Sequence, residues 1–232
     1  MISVLSLCLI SWIGYSARQE ATDYWAWDPS VHLSRVLQHA GKLYLLEGEW
    51  LQHGGVVDFQ RRGFPPANAS DHPIVLVYRL EAMQWEERLQ RHIQQDIDAF
   101  EAKGNHLWGI QLDFDAATEK LGAYAVLLQQ VRAWLPPNYH LSITGLLDWG
   151  SQGRLDALNA LQNVVSEVVF QTYQGRHPLK DCPQYLARLS KRAITVPFKV
   201  GLVEHGDYDP GTLAEVTRHP FYRGNVVFLL PN

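Results

Sequence analysis

Asp113 and Asp115 close a run of alternating character, Leu107-Trp108-Gly109-Ile110-Gln111-Leu112-Asp113-Phe114-Asp115. Leu107, Ile110, Leu112 and Phe114 recur near the period of a β-strand, and Gly104-Asn105 punctuates the front. Residues two apart on a strand share a face, so Gln111, Asp113 and Asp115 project to one side, the two acids' Cα atoms roughly 6.6 Å apart. Two carboxyl groups so close resist ionising together, and one can keep its proton near neutral pH and act as a general acid. A polar strand face that ends in an acid pair is either a solvated surface or the lining of a site. The next segment favours a site. Leu121, Tyr124, Ala125, Leu128, Val131 and Leu135 recur at helical spacing and stop at Pro136-Pro137, which gives strand, short loop and amphipathic helix with the acids in the loop mouth.

The same unit recurs along the chain. Strands are predicted at 24–28, 42–50, 73–80, 107–115, 140–149, 167–174, 194–203 and 225–230, and helices at 30–41, 83–103, 121–135, 155–165, 184–191 and 212–218. The stretch from Gln52 to Asp71, with Gly54-Gly55 and Pro65-Pro66, reads as a loop. Eight strands, most followed by helices, predict an α/β fold, a (β/α)8 barrel of the TIM type, with some outer helices missing or short. No Gly-x-Gly-x-x-Gly follows any strand, which counts against a doubly wound dinucleotide-binding sheet. No shift in composition marks a second domain, so residues 22–232 read as one barrel.

Strand parity then says what fills that barrel. The greasier face of each strand packs on the helices, so the polar faces point inward, and Gln111, Asp113, Asp115, Ser142, Thr144, Asp148, Gln171 and Tyr173 converge. Buried polar groups cost free energy unless they are paired, so this pattern implies either a site at the C-terminal face or a satisfied hydrogen-bond network without chemistry. Trp27 and Trp149, beside Asp28 and Asp148 at predicted strand ends, either stack on sugar rings or plug the barrel rim. Arg79 ends the third strand within reach of the acid pair, and Glu204 ends the seventh, across the mouth from the fourth. Glu47 and Glu49 share a face of the second strand and are either site members or, as the simpler reading, solvated edge charges.

Composition sets the outer limits. A formal net charge of −4 without any Lys/Arg run argues against nucleic acid as the partner, and eight tryptophans and ten tyrosines suit flat platforms for sugar rings as well as a core. No nucleophile elbow, P-loop or His-x-x-x-His occurs, and no cofactor or resident metal is expected. Met1 to about Gly14 is apolar, too short to span a bilayer but of the length of a signal-peptide core. Residues 1–17 are therefore expected to be a leader, which places the protein in the periplasm or cell envelope. Its removal leaves Cys182 without an intrachain disulfide partner.

The stretch Gly109-Ile110-Gln111-Leu112-Asp113-Phe114-Asp115, with Tyr124, Leu141-Ser142-Ile143-Thr144-Gly145-Leu146 and Trp149, resembles a bacterial barrel family catalogued as domain of unknown function 3142. The resemblance runs from about the first strand to the sixth and implies a barrel without an assigned activity. A more distant likeness is to chitinase-type (family 18) glycoside hydrolases. Their fourth strand ends Asp-x-x-Asp-x-Asp-x-Glu, the last residue being the general acid and the preceding Asp assisting it. Asp113 and Asp115 match the middle of that motif, while Ile110 replaces its first Asp and Ala117 its Glu. Glu119 falls in the first turn of the next helix, where a carboxylate is favourable for dipole reasons. Acids on the fourth and seventh strands, here Asp113, Asp115 and Glu204, resemble the layout of the large retaining-glycosidase clan.

Three readings are open at this point. The first is a glycoside-hydrolase-like barrel acting on an oligo- or polysaccharide through Asp113, Asp115 and Glu204, with Trp27, Arg79, Asp148, Trp149, Gln171 and Tyr173 binding the sugar. The second is a catalytically silent relative that binds a glycan in the same cleft. The third is a metal-dependent hydrolase whose oxygen ligands, Asp113, Asp115 and Asp148, suit Mg²⁺ or Ca²⁺. The leader carries its own test: protein exported from its native host is expected to have lost Met1 and the apolar run by intact-mass measurement, and a retained, protease-protected segment would make that run part of the fold.

Overall fold

The structure is a computed structural model that describes residues 22–63, 70–115, 117–153 and 155–231; the expected leader lies outside them. Eight parallel strands close into a barrel: β1 (Thr22–Ala26), β2 (Ala40–His53), β4 (Ile74–Leu80), β5 (Leu107–Asp113), β6 (His140–Leu146), β7 (Glu167–Gln171), β10 (Phe198–Val203) and β11 (Tyr222–Phe228). Closure comes from β1, which pairs with β11 on one side and β2 on the other. The expected TIM-type (β/α)8 barrel is therefore the fold, with an incomplete outer layer.

Several elements differ from the sequence expectation. The segment after β2 is a hairpin: β3 (Val56–Arg61) runs antiparallel to β2 around Gly54-Gly55, whose positive φ values of 56° and 85° suit glycine. Phe59 packs over Gly48, where a Cβ would stand 2.2 Å from its ring, and stacks on His92 of α1 (Glu87–Ala102). Thus β3 covers part of the wall that a second helix would have covered. The predicted helix at 30–41 is a pair of 3₁₀ turns, Leu33–Arg35 and Leu37–His39, because only Val31 and Val36 are buried there and they do not make a helical stripe. The fifth barrel strand ends at Leu146, and α3 (Leu147–Ser151) takes over Asp148 and Trp149.

Helices α2 (Leu121–Trp134), α4 (Leu155–Asn159), α5 (Cys182–Leu189) and α6 (Pro210–Val216) cover part of the barrel exterior. Outward strand residues such as Leu76, Ile110, Leu112, Ile143 and Val200 share one apolar core with Leu128, Leu158, Leu186 and Val216 of these helices. A second, smaller cluster lies inside the barrel: Trp25, Tyr44, Leu46, Val75, Val77, Val169 and Val226. The spacing irregularity between Leu107 and Ile110 is a bulge, since Ile74 pairs with Leu107 but Val75 with Gly109. The close approach admits only glycine, because a Cβ at Gly109 would lie 2.0 Å from the His140 carbonyl oxygen.

Below the apolar cluster, at the N-terminal end, charges fill the barrel. Lys199 of β10 pairs with Asp23 of β1, and Lys42 of β2 lies 3.2 Å from Glu167 of β7 and 3.8 Å from Asp23. Glu167 also receives the Tyr44 hydroxyl and, at 3.2 Å, that of Ser142. Burial alone would push the Glu167 carboxyl up, but Lys42 and Lys199 pull it below its ordinary range. Glu167→Gln keeps the shape and removes the charge, leaving the buried ammonium groups undercompensated. At neutral pH it is expected to destabilise the fold by about 3–5 kcal/mol in chemical unfolding. A carboxyl with a depressed folded pKa stabilises above its unfolded value of 4.5 and loses that contribution as pH falls through the folded pKa, so the gap between wild type and variant should close only in acid.

Candidate active site

The cleft begins where β5 ends. Asp113 is the last residue of that strand and points into the barrel mouth with only 4% of its surface exposed. The Thr144 hydroxyl, at the matching height on β6, donates to its Oδ1 at 2.7 Å, and Arg79 Nε of β4 lies 4.0 Å from its Oδ2. Burial raises the Asp113 pKa to about 6; the Thr144 bond opposes this, Asp115 adds to it, and Arg79 subtracts. Asp115, one step beyond the strand, is exposed at the lip. The expected convergence of Gln111, Asp113, Ser142 and Thr144 holds, but these four have two separate uses. Gln111 accepts the Trp25 indole N–H at 2.7 Å and donates to Ser142 at 2.9 Å, so with Ser142 it belongs to the network that runs down to Glu167. Asp113 and Thr144 sit above it and face the cleft.

The cleft has two lobes that meet at Tyr173. One, about 420 Å³, is walled by Trp27, Arg79, Asp113, Asp115, Tyr173 and Phe228. The other, about 650 Å³, is walled chiefly by Asp115, Asp148, Gln171, Tyr173, Lys180 and Tyr185. Tyr173 belongs to a small hairpin, β8 (Tyr173–Gln174) and β9 (His177–Pro178), turned at Gly175 with φ 59°. Three rings line the first lobe: Tyr173 stacks on Phe228 at 5.3 Å between centroids, and Trp27 meets the same Phe228 edge-on at 5.6 Å. Arg79 lies 5.7 Å from the Trp27 ring and 3.9 Å from Glu49. The lobe thus combines flat apolar surface with a buried acid and a guanidinium, a combination suited to sugar rings and their hydroxyls.

Of the residues expected here, Asp113, Asp115, Trp27, Arg79, Gln171 and Tyr173 come together. Glu204 does not: it follows β10, but its carboxylate accepts from Arg35 and from the Leu230 N–H, each at 2.9 Å, and anchors the chain beyond β11. Trp149 is also misplaced by the sequence reading. Because α3 starts at Leu147, its side chain turns into the outer core, fully buried beside Tyr124, and cannot stack on a ligand. Asp148 stays at the rim of the second lobe, where it receives the Thr118 hydroxyl. Glu47 is buried rather than solvated, at 1% exposure. Among the described residues no group of three or more His, Cys, Asp or Glu side chains could hold a metal ion, so Asp113, Asp115 and Asp148 do not form the ligand set of the third reading. Phe228, Lys180 and Tyr185 were missed. Phe228 was findable, since it lies two residues from the interior Val226 and shares its face.

Residues 70–213 match the family described as domain of unknown function (DUF3142). The chain belongs to that family. No curated protein sequence matches. Among solved structures, the xylanase and alpha-amylase inhibitor protein XAIP-II from Scadoxus multiflorus aligns with a TM-score of 0.54 at 11% identity, over 89% of this chain and 92% of its own. The related inhibitor XAIP-I, solved in complex with trehalose, aligns over the same shares with a TM-score of 0.50 at 9% identity. The spore cortex-lytic enzyme SleL of Bacillus cereus aligns with a TM-score of 0.47 at 20% identity, over 78% of this chain and 51% of SleL. This DUF3142 chain thus shares its barrel fold with the two inhibitor proteins. Among its described residues, no helix is long and apolar enough to cross a membrane.

The raised Asp113 pKa has a consequence for stability. The folded protein holds this proton more tightly than the unfolded chain, so the charged carboxylate carries no penalty below pH 3.8 and the full penalty above about pH 6. Asp113→Asn, which still accepts from Thr144, is expected to raise the unfolding midpoint at pH 7–8, through a stability gain of at most about 3 kcal/mol, and to show little difference near pH 4. Thermal melts of both proteins across that range check it, and a constant offset would place the effect elsewhere.

Proposed function

We propose that this barrel acts as a glycoside hydrolase on an oligo- or polysaccharide lying across Tyr173, with Asp113 as proton donor and Asp115 as the second carboxyl group. The observation that carries this reading is the buried Asp113, its pKa raised to about 6, set at the floor of a cleft faced by Trp27, Tyr173 and Phe228. A protonated acid next to a scissile bond supplies the leaving oxygen with its proton, and a second carboxyl group activates water or stabilises developing positive charge. Asp115 suits that second role because it lines both lobes and so meets sugar units on either side. Arg79 and Gln171 offer donors to ring hydroxyls, and the three rings offer faces. A glycan of the cell envelope or its surroundings is the substrate class that goes with the export expected from the apolar first residues. The trehalose in the XAIP-I complex agrees with a saccharide ligand on this fold.

Saccharide binding without cleavage is the second reading, and two observations favour it. Ala117 stands where the chitinase-type motif has its acid, and Glu204 is held by Arg35 and the Leu230 N–H rather than facing the cleft. A panel of oligosaccharides separates the two. Catalysis predicts reducing ends released by the wild type at a rate that falls as pH rises through about 6, as Asp113 loses its proton. It also predicts a drop of roughly 10²–10⁴-fold in kcat for Asp113→Asn and for Asp115→Asn, with binding retained. Wild-type binding by calorimetry without release of reducing ends selects the second reading, and absence of any saccharide binding rejects both.

A further inference from the structure

A second pocket, of about 310 Å³, adjoins the cleft on the side of its second lobe. Its apolar walls are Pro178, Leu179, Pro183, Leu186, Tyr208 and Leu213, contributed by the β8–β9 hairpin and the residues after it, α5, the turn after β10, and α6. Leu179 and Lys180 line both this pocket and the cleft, so the two adjoin along that short stretch. The chemistry changes across it. The cleft side presents carboxylates, amides and tyrosines, whereas the pocket side sets proline, leucine and the flank of a tyrosine ring beside the polar Lys180, Asp207, Asp209 and Thr212.

The pocket is held open by fixed walls. The Tyr208 hydroxyl oxygen accepts from the Val203 N–H at 2.9 Å and lies 3.1 Å from the Thr172 hydroxyl, so the ring cannot swing inward without losing both contacts. Behind it, Gly206 has no room for a side chain, because a Cβ would stand 2.5 Å from that ring and 3.0 Å from Pro178. On the other side, Asp209 caps α6 by accepting from the Thr212 N–H at 2.7 Å, which fixes the turn that presents Leu213. An apolar group that settles on the leucine and proline walls of this open pocket removes their apolar surface from water, which is favourable. For scale, a cavity of about 150 Å³ is enough to hold benzene.

We propose that this pocket receives an apolar substituent, an alkyl or acyl group, carried by the saccharide in the cleft, so that the ligand is an amphiphilic glycan. The inference rests on the saccharide reading of the cleft for the sugar half, and on the pocket's own walls for the apolar half. The sugar spans Tyr173 while its substituent crosses Leu179-Lys180 and enters between α5 and α6. Leu213 is half-buried at the mouth, so a larger side chain there blocks the pocket without disturbing the cleft.

The test treats the two halves separately and uses the full chain. 1-Hexanol is expected to shift the methyl resonances of Leu186 and Leu213 saturably. Leu213→Trp is expected to abolish the Leu186 shift, and Leu213→Ala, which enlarges the space, to retain it. n-Octyl β-D-glucopyranoside, kept below its micellar concentration, is expected to bind at least tenfold more tightly than methyl β-D-glucopyranoside and to perturb Tyr173 as well as Leu186. In Leu213→Trp that advantage should fall to about onefold. No hexanol shift, or an octyl advantage that survives Leu213→Trp, overturns the proposal. A hexanol response with no effect of either glycoside on Tyr173 overturns the link to a cleft-bound sugar, and marks the failure as the cleft's rather than the pocket's.

Discussion

The carboxylate of Glu167 sits low in the barrel and is shared by three other strands. Lys42 and Tyr44 reach it from β2 and Ser142 from β6, while Lys199 of β10 stands close enough to hold its pKa down. With Asp23 paired to Lys199, this cluster links strands on opposite sides of the barrel where branched apolar side chains usually do so. Its cost is desolvation of four charged groups, and it is offset only because each has an opposite charge within contact distance. Everything above it inherits the register that these contacts demand.

That register explains why the middle and the mouth of the barrel are polar on one side. Once Ser142 is committed to Glu167, Gln111 is needed to complete the Ser142 hydrogen bonds, and Trp25 to complete those of Gln111. Two residues further along the same strands, Asp113 and Thr144 occupy the next inward positions. The neighbouring β4 contributes Val75 and Val77 to the interior, and β11, across the barrel, contributes Val226, so these walls are hydrocarbon. Asp113 is therefore desolvated by the barrel wall yet open to the cleft, and this mixed environment lets one acid keep its proton nearer neutral pH. Environment rather than residue type thus sets which acid holds a proton.

The outer layer is sparse for a barrel of this type. A hairpin replaces the helix after β2, two 3₁₀ turns replace the one after β1, and α3 and α4 are short. Short helices bring their ends close to the rim, and α5 and α6 leave between them the pocket beside the cleft. The segments that leave β7 and β10 accordingly shape the cleft as much as the strand ends themselves do.

The sequence by itself determined the eight barrel strands, their order and the inward polar face of β5 to β7. Period-2 and period-3.6 patterns arise directly from burial on one face, and a buried face is a local property. It also determined that Asp113, Gln171, Tyr173 and Arg79 share the barrel's C-terminal end, because each closes a strand or lies next to its end. What it left open was the fate of residues just past a strand's last hydrogen bond. Asp148 and Trp149 extend the alternation of β6 on paper, but α3 begins at Leu147 and turns Trp149 into the core. Glu204 comes after a strand that ends at Val203, and only the position of Arg35, 169 residues away in sequence, decides where its carboxylate goes. The buried ionic cluster shows the same limit: Asp23, Lys42, Glu167 and Lys199 each lie near a strand start, and nothing local marks them as partners. Their pairing is long-range, set by barrel closure and shear, and no local pattern encodes it.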